Sequence, residues 1–172
     1  DYELLDDQLK QPGSKMAKFN LGLIKNIGYL IASNANKEKS NNPYYVLTDI
    51  DLLPSQELIS SYLKYPDIPI HLGNMGTRYN MKGENENFLG GVISFKSEDF
   101  EKCNGYPNNY WGWGGEDESL LYRLKENDLE IERSEHPIID LENFTPEEKK
   151  HDLRKRKNKE NLKWEKASEE KK

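Results

Sequence analysis

Four short apolar runs, at residues 45–47, 68–70, 92–95 and 129–131, alternate with stretches of helical periodicity, and this alternation leaves few architectures open to the chain. Runs of that length bounded by turn residues suit strands. Leu23, Ile24, Ile27, Leu30 and Ile31 predict a helix with a core-facing apolar stripe. Leu120, Leu121 and Leu124 predict a second, from Glu116 to Lys125, ended by Asn127-Asp128. Strands between helices imply a layered α/β sheet. A length of 172 residues, 33% of them charged and 34% hydrophobic, fits one domain with a modest core. No apolar run approaches the roughly 20 residues needed to span a bilayer, and no signal peptide is visible, so the chain itself holds no membrane segment. Cys103 is the single cysteine, which precludes an intrachain disulfide and points to a reducing compartment such as the cytoplasm.

The segment Asn104-Gly-Tyr-Pro-Asn-Asn-Tyr-Trp-Gly-Trp-Gly-Gly-Glu-Asp-Glu118 concentrates aromatic rings, glycines and acids. Gly112, Gly114 and Gly115 give the backbone access to conformations closed to other residues. Trp111 and Trp113 offer flat faces on which a sugar ring can lie. Glu116, Asp117 and Glu118 follow directly. Together they predict a lid that binds a carbohydrate hydroxyl and removes its proton. The simpler alternative is that three acids in the first turn of a helix complement its dipole.

A second constellation, Tyr44-Tyr-Val-Leu-Thr-Asp-Ile-Asp-Leu-Leu-Pro54, runs an apolar strand into two aspartates. Period-two geometry would point Asp49 and Asp51 to one side, where two hard oxygen ligands can hold a divalent cation against a diphosphate. Ligands of open α/β sheets bind at the carboxyl ends of strands. The alternative has Asp49 starting a turn that caps a helix opened by Pro54.

These segments resemble the β-1,4-galactosyltransferase family and its bacterial and viral relatives, nucleotide-sugar enzymes of the GT-A fold. Phe19-Asn20 with Asn26-Ile-Gly28 is similar to the family's Phe-Asn-Arg and Asn-x-Gly helix, and Thr48 to Pro54 to its metal segment. Phe88-Leu-Gly-Gly-Val92 resembles its aromatic-x-Gly-Gly-Val strand. Asn104 to Glu118 resembles its tryptophan-glycine lid, the most specific of the four. The resemblance implies inverting transfer of galactose or a related hexose from a UDP-sugar donor to an oligosaccharide or glycoconjugate acceptor, with Mn²⁺ or Mg²⁺ as cofactor. In that reading Asp117 is the general base. Glu116 and Glu118 hold acceptor hydroxyls, with Trp111, Trp113, Gly114 and Gly115 forming the lid. Phe19, Asn20, Asp49, Phe88, Gly90 and Gly91 line the donor, and Asp51 and Asp49 hold the metal. The bulk of Phe88 favours galactose over N-acetylgalactosamine on steric grounds.

The chain departs from the family pattern in three places. Leu21 stands where the family has arginine. The family's first strand has no counterpart before Asp1, so the sequence reads as a truncated chain or a minimal enzyme. Where the family completes its metal site with histidine, this chain has Ile138-Ile-Asp-Leu-Glu-Asn143; Asp140 and Glu142 are replacement oxygen ligands by spacing, and His136 is the other candidate. His71 receives no role. A catalytic domain over residues 1–144 is followed by a charged helix over 145–172, opened by the capping box Thr145-Pro-Glu-Glu148. Its basic run Arg154-Lys-Arg-Lys157 is interleaved with acids and lacks aromatics, so no nucleic-acid partner is expected. The competing function is a sugar-binding module or inactive relative that keeps the lid but has lost nucleotide contacts.

Overall fold

A computed structural model describes residues 19–36, 42–76, 86–112 and 114–141. Helix α1 spans Leu21–Asn36, α2 Gln56–Tyr62, α3 Ser97–Lys102 and α4 Glu116–Glu126. The strands are β1 Tyr44–Thr48, β2 Leu52–Pro54, β3 Ile70–His71, β4 Met75–Gly76, β5 Val92–Lys96, β6 Glu132–Arg133 and β7 Pro137–Asp140. Two mixed sheets result. One has the order β1-β5-β3-β6, with β5 antiparallel to β1 and β3, and β3 parallel to β6. The other has the order β2-β7-β4. The layered α/β expectation holds, although the strand expected at 129–131 lies at Glu132–Arg133 and that at 68–70 is shifted to Ile70–His71.

Strand β5 organises the interior through its period-two alternation. Ile93 and Phe95 face one core, with Tyr29 of α1, Phe100 of α3, and Leu120, Leu121 and Leu124 of α4. Val92 faces another, with Leu58, Ile70, Leu72 and Ile138. The α4 stripe is therefore buried as its spacing predicts. Leu129 and Ile131 pack at the edge of the first core.

Helix α1 behaves differently. Its expected core stripe is exposed at Ile24, Ile27, Leu30 and Ile31, and the buried residues are Gly22, Lys25 and Tyr29. Polar docking decides the face. Asn26 donates from Nδ2 to the Tyr106 carbonyl and to Asn108 Oδ1, both at 2.8 Å, and its Oδ1 accepts from the Tyr106 amide at 2.9 Å. Gly22 lets the helix approach this loop, since a Cβ there would meet the Pro107 carbonyl oxygen at 2.6 Å. Apolar periodicity cannot report such side-chain-to-loop bonds. Among the described residues no helix is long and apolar enough to cross a membrane. Cys103 is buried with a free thiol.

Candidate active site

The Asp-x-Asp segment is where the chain changes sheets. Strand β1 ends at Thr48 and β2 begins at Leu52, so Asp49 and Asp51 sit in the intervening turn, not on one extended strand as period-two spacing anticipates. Pro54 closes β2, and Ser55 caps α2 by accepting from the Leu58 amide at 3.2 Å. Main-chain bonds fix the turn. The Asp49 amide donates to the Gly91 carbonyl at 3.0 Å in the first sheet, while the Leu141 amide donates to the Asp51 carbonyl at 2.8 Å in the second.

That second bond brings the end of β7 beside the Asp-x-Asp turn. Asp140 pairs in register with Leu52, so the backbones carrying Asp51 and Asp140 are neighbours. His136 precedes β7 at the other end, near Ser55, whose amide donates to the Pro137 carbonyl at 3.3 Å. The structure therefore places Asp140, and not His136, next to Asp51. Glu142 and Trp113 lie outside the described residues, as does the 145–172 tail. Among the described residues no three His, Cys, Asp or Glu side chains form a metal cage.

On the lid side, Gly112, Gly114 and Gly115 all take positive φ, at 91°, 98° and 97°, a region that disfavours side chains. Gly115 is the N-cap of α4, and an added Cβ there would collide with the Tyr110 ring. This turn launches the helix with Glu116 buried, Asp117 half-buried and Glu118 exposed. Trp111 is about half-exposed. The loop is tied to the start of α1, where buried Asn20 donates to the Asn108 carbonyl at 2.8 Å and the Gly112 amide donates to the Phe19 carbonyl at 2.7 Å. Phe19 itself is exposed.

The Phe88–Gly91 segment meets Asp117 directly. A Cβ on Gly90 would collide with Asp117 Oδ2 and approach the Phe88 ring to 2.7 Å. Only glycine leaves the carboxylate that position. Beside it stands a residue that the sequence reading passed over. Lys25, 8% exposed, forms an ion pair with Asp49 Oδ1 at 3.0 Å and lies 5.2 Å from the centre of the Tyr106 ring. Burial alone would depress its ammonium, but Tyr106, Asp117 and Asp49 outweigh that and the net shift is upward. Its sequence signal was spacing: Lys25 follows Gly22 by three and precedes Tyr29 by four, on one helical face.

Glu116 is the complementary case. Burial, then Asp117 and Glu118, push its carboxyl up to about 7, with Lys25 opposing, and its Oε2 has no hydrogen-bond partner. A carboxyl raised in the folded state keeps a proton that the unfolded chain releases near its ordinary value. Stability therefore falls as pH rises from about 4.5 to about 7. Glu116→Gln is expected to flatten that slope and to raise stability at pH 8 by about 1–3 kcal/mol. Melting temperatures at pH 5 and pH 8 check this, and an unaltered slope would assign it to another group.

Comparisons with known proteins place the chain in a family. A family profile described as the N-terminal domain of galactosyltransferase matches residues 71–164. β-1,4-galactosyltransferase 4 of Mus musculus is 39% identical over 139 residues, covering 80% of this chain and 37% of that protein. β-1,4-galactosyltransferase 7 of Drosophila melanogaster is 31% identical over 121 residues, covering 69% and 34%. The chain thus spans little more than a third of the length of these curated relatives. Among solved structures, a Drosophila β-1,4-galactosyltransferase 7 mutant in complex with manganese, UDP-Gal and xylobiose superposes with a TM-score of 0.56 at 28% identity, over 69% of this chain and 47% of that one. The catalytic domain of the same enzyme with xylobiose gives 0.56 at 25% identity, over 84% and 64%. A profile match across more than half of the chain, together with the shared fold, shows that this protein belongs to the β-1,4-galactosyltransferase family.

Proposed function

We propose that the protein is a metal-dependent galactosyltransferase that moves galactose, or a related hexose, from a UDP-sugar to a hydroxyl of a sugar acceptor with inversion. The observation that carries this reading is the meeting of Asp49, Gly90, Gly91 and Asp117, with Lys25 paired to Asp49 and held charged by both aspartates. Two aspartates 68 positions apart in sequence are drawn to one segment, since the Asp49 amide donates to the Gly91 carbonyl and the Asp117 carboxylate packs against Gly90. A sugar-binding module needs no such convergence.

The chemistry of the donor set fits a hard divalent cation. Two carboxylates on neighbouring backbones suit an ion that completes its coordination with diphosphate oxygens and water, and Asp51 and Asp140 would hold it. Bound there, Mn²⁺ or Mg²⁺ would offset charge on the departing UDP. The remaining steps belong to the chain. Phe88 and Gly90 orient the hexose. Asp117 takes the acceptor hydroxyl's proton as that oxygen attacks the anomeric carbon from the face opposite the diphosphate, which inverts the centre. Glu116 and Glu118 hold neighbouring acceptor hydroxyls, and the Trp111 ring offers a surface for a sugar.

Calorimetric titration of UDP with and without Mn²⁺ tests the donor half. Wild type is expected to bind in a metal-dependent way, and Asp51→Ala to weaken binding by at least about ten-fold, as loss of a charged ligand demands. Absence of UDP binding under both conditions would instead favour a carbohydrate-binding relative, in line with Leu21 at the position where the family carries arginine.

A further inference from the structure

His71 is fully buried on β3 and takes no part in the chemistry above, yet it stands within a connected polar group near the site. Its Nε2 lies 2.9 Å from the Gly90 carbonyl, so Nε2 carries the proton and donates. Its Nδ1 then accepts from Arg133 Nη1 at 2.8 Å. Arg133 also donates to the Phe88 carbonyl at 2.8 Å, from Nη2 to the Glu86 carbonyl at 2.7 Å, and to Asn74 Oδ1 at 3.4 Å. Three alternate carbonyls, those of residues 86, 88 and 90, are thus gripped by two side chains. The edge of one ring meets the face of the other between His71 and Phe88, with centres 5.4 Å apart. Gly73 leaves room for the grip, since a Cβ there would come within 2.8 Å of the Gly90 carbonyl oxygen.

We propose that His71 and Arg133 are positioning residues for the sugar donor, a clamp that sets the depth of the Phe88 ring and the approach of Gly90 to Asp117, and thereby the choice of donor sugar. The inference rests on the assignment of Phe88 to Gly91 to the donor side. Every bond of the clamp to this segment ends on a main-chain oxygen, so it fixes the path of the segment whatever its side chains. Burial, with Arg133 beside it and the Gly90 bond opposing, brings the His71 ring down to about 4. The neutral tautomer that the geometry requires is therefore kept at neutral pH.

The two arms separate by substitution. Asparagine places a carbonyl oxygen near the position of Nδ1 and keeps the Arg133 bond while releasing Gly90. Glutamine places an amide N–H near Nε2 and keeps Gly90. Arg133→Lys removes the planar fork. The readout is the ratio of kcat/KM for UDP-galactose to that for UDP-N-acetylgalactosamine, which does not depend on the folded fraction and which a merely structural role would leave in place. His71→Asn and Arg133→Lys are expected to shift this ratio about five-fold toward the acetamido donor, the equivalent of one lost hydrogen bond, with a smaller shift for His71→Gln. A wild type that discriminates, with all three variants keeping its ratio, overturns the clamp. A wild type that uses neither donor, or does not discriminate, overturns the donor-side assignment and the inference with it.

Discussion

Asp117→Asn is expected to lower kcat for sugar transfer by about 10³-fold while leaving the affinity for UDP unchanged, because a positioned general base contributes roughly 10²–10⁴ and asparagine cannot take the proton. The substitution is nearly isosteric. Asp117 is half-buried and packed against Gly90, so the amide keeps the contact and changes only the charge. Single-turnover transfer with calorimetry on the same preparation checks both halves of the expectation. Loss of UDP binding along with activity would move Asp117 to the donor side, and retained activity would pass the base to Glu116 or Glu118.

Lys25→Met is the larger perturbation of stability. The ammonium is 8% exposed and Asp49 22%, and removing one partner of a buried pair leaves the other charge uncompensated, at about 3 kcal/mol. The substitution also leaves Asp117 and Glu116 without the cation that opposes their repulsion. Denaturant unfolding of Lys25→Met, Asp49→Asn and the double variant forms a cycle that isolates the pair. The double variant should be more stable than Lys25→Met alone. A Lys25→Met chain within about 0.5 kcal/mol of wild type would mean that the asparagine bonds dock α1 unaided.

The parts of this architecture that could be read from sequence are those governed by local rules. The α4 stripe, the glycine turn before it and the strand read at 92–95 and found at 92–96 follow from periodicity and from φ preferences that glycine alone satisfies freely. The parts that could not be read are those set by distant partners. The exposed stripe of α1, the burial of Lys25 and the hydrogen bonding of His71 each depend on a residue many positions away: Asn108 for Asn26, Asp49 for Lys25, Arg133 for His71. The turn at 49–51 shows the same limit. Two acids one residue apart look like one strand's end, yet the chain leaves the first sheet between them because β7 offers Leu52 a second partner.

That turn is anchored to both sheets by main-chain atoms, from the Asp49 amide to the Gly91 carbonyl and from the Leu141 amide to the Asp51 carbonyl, and the Asp49 side chain adds its ion pair with Lys25. Frame and side chain are in consequence separable at residue 51. The anchor at residue 51 lies in the peptide path, so another side chain there would leave the join between the two sheets in place, whereas a change at Asp49 would also break the pair with Lys25.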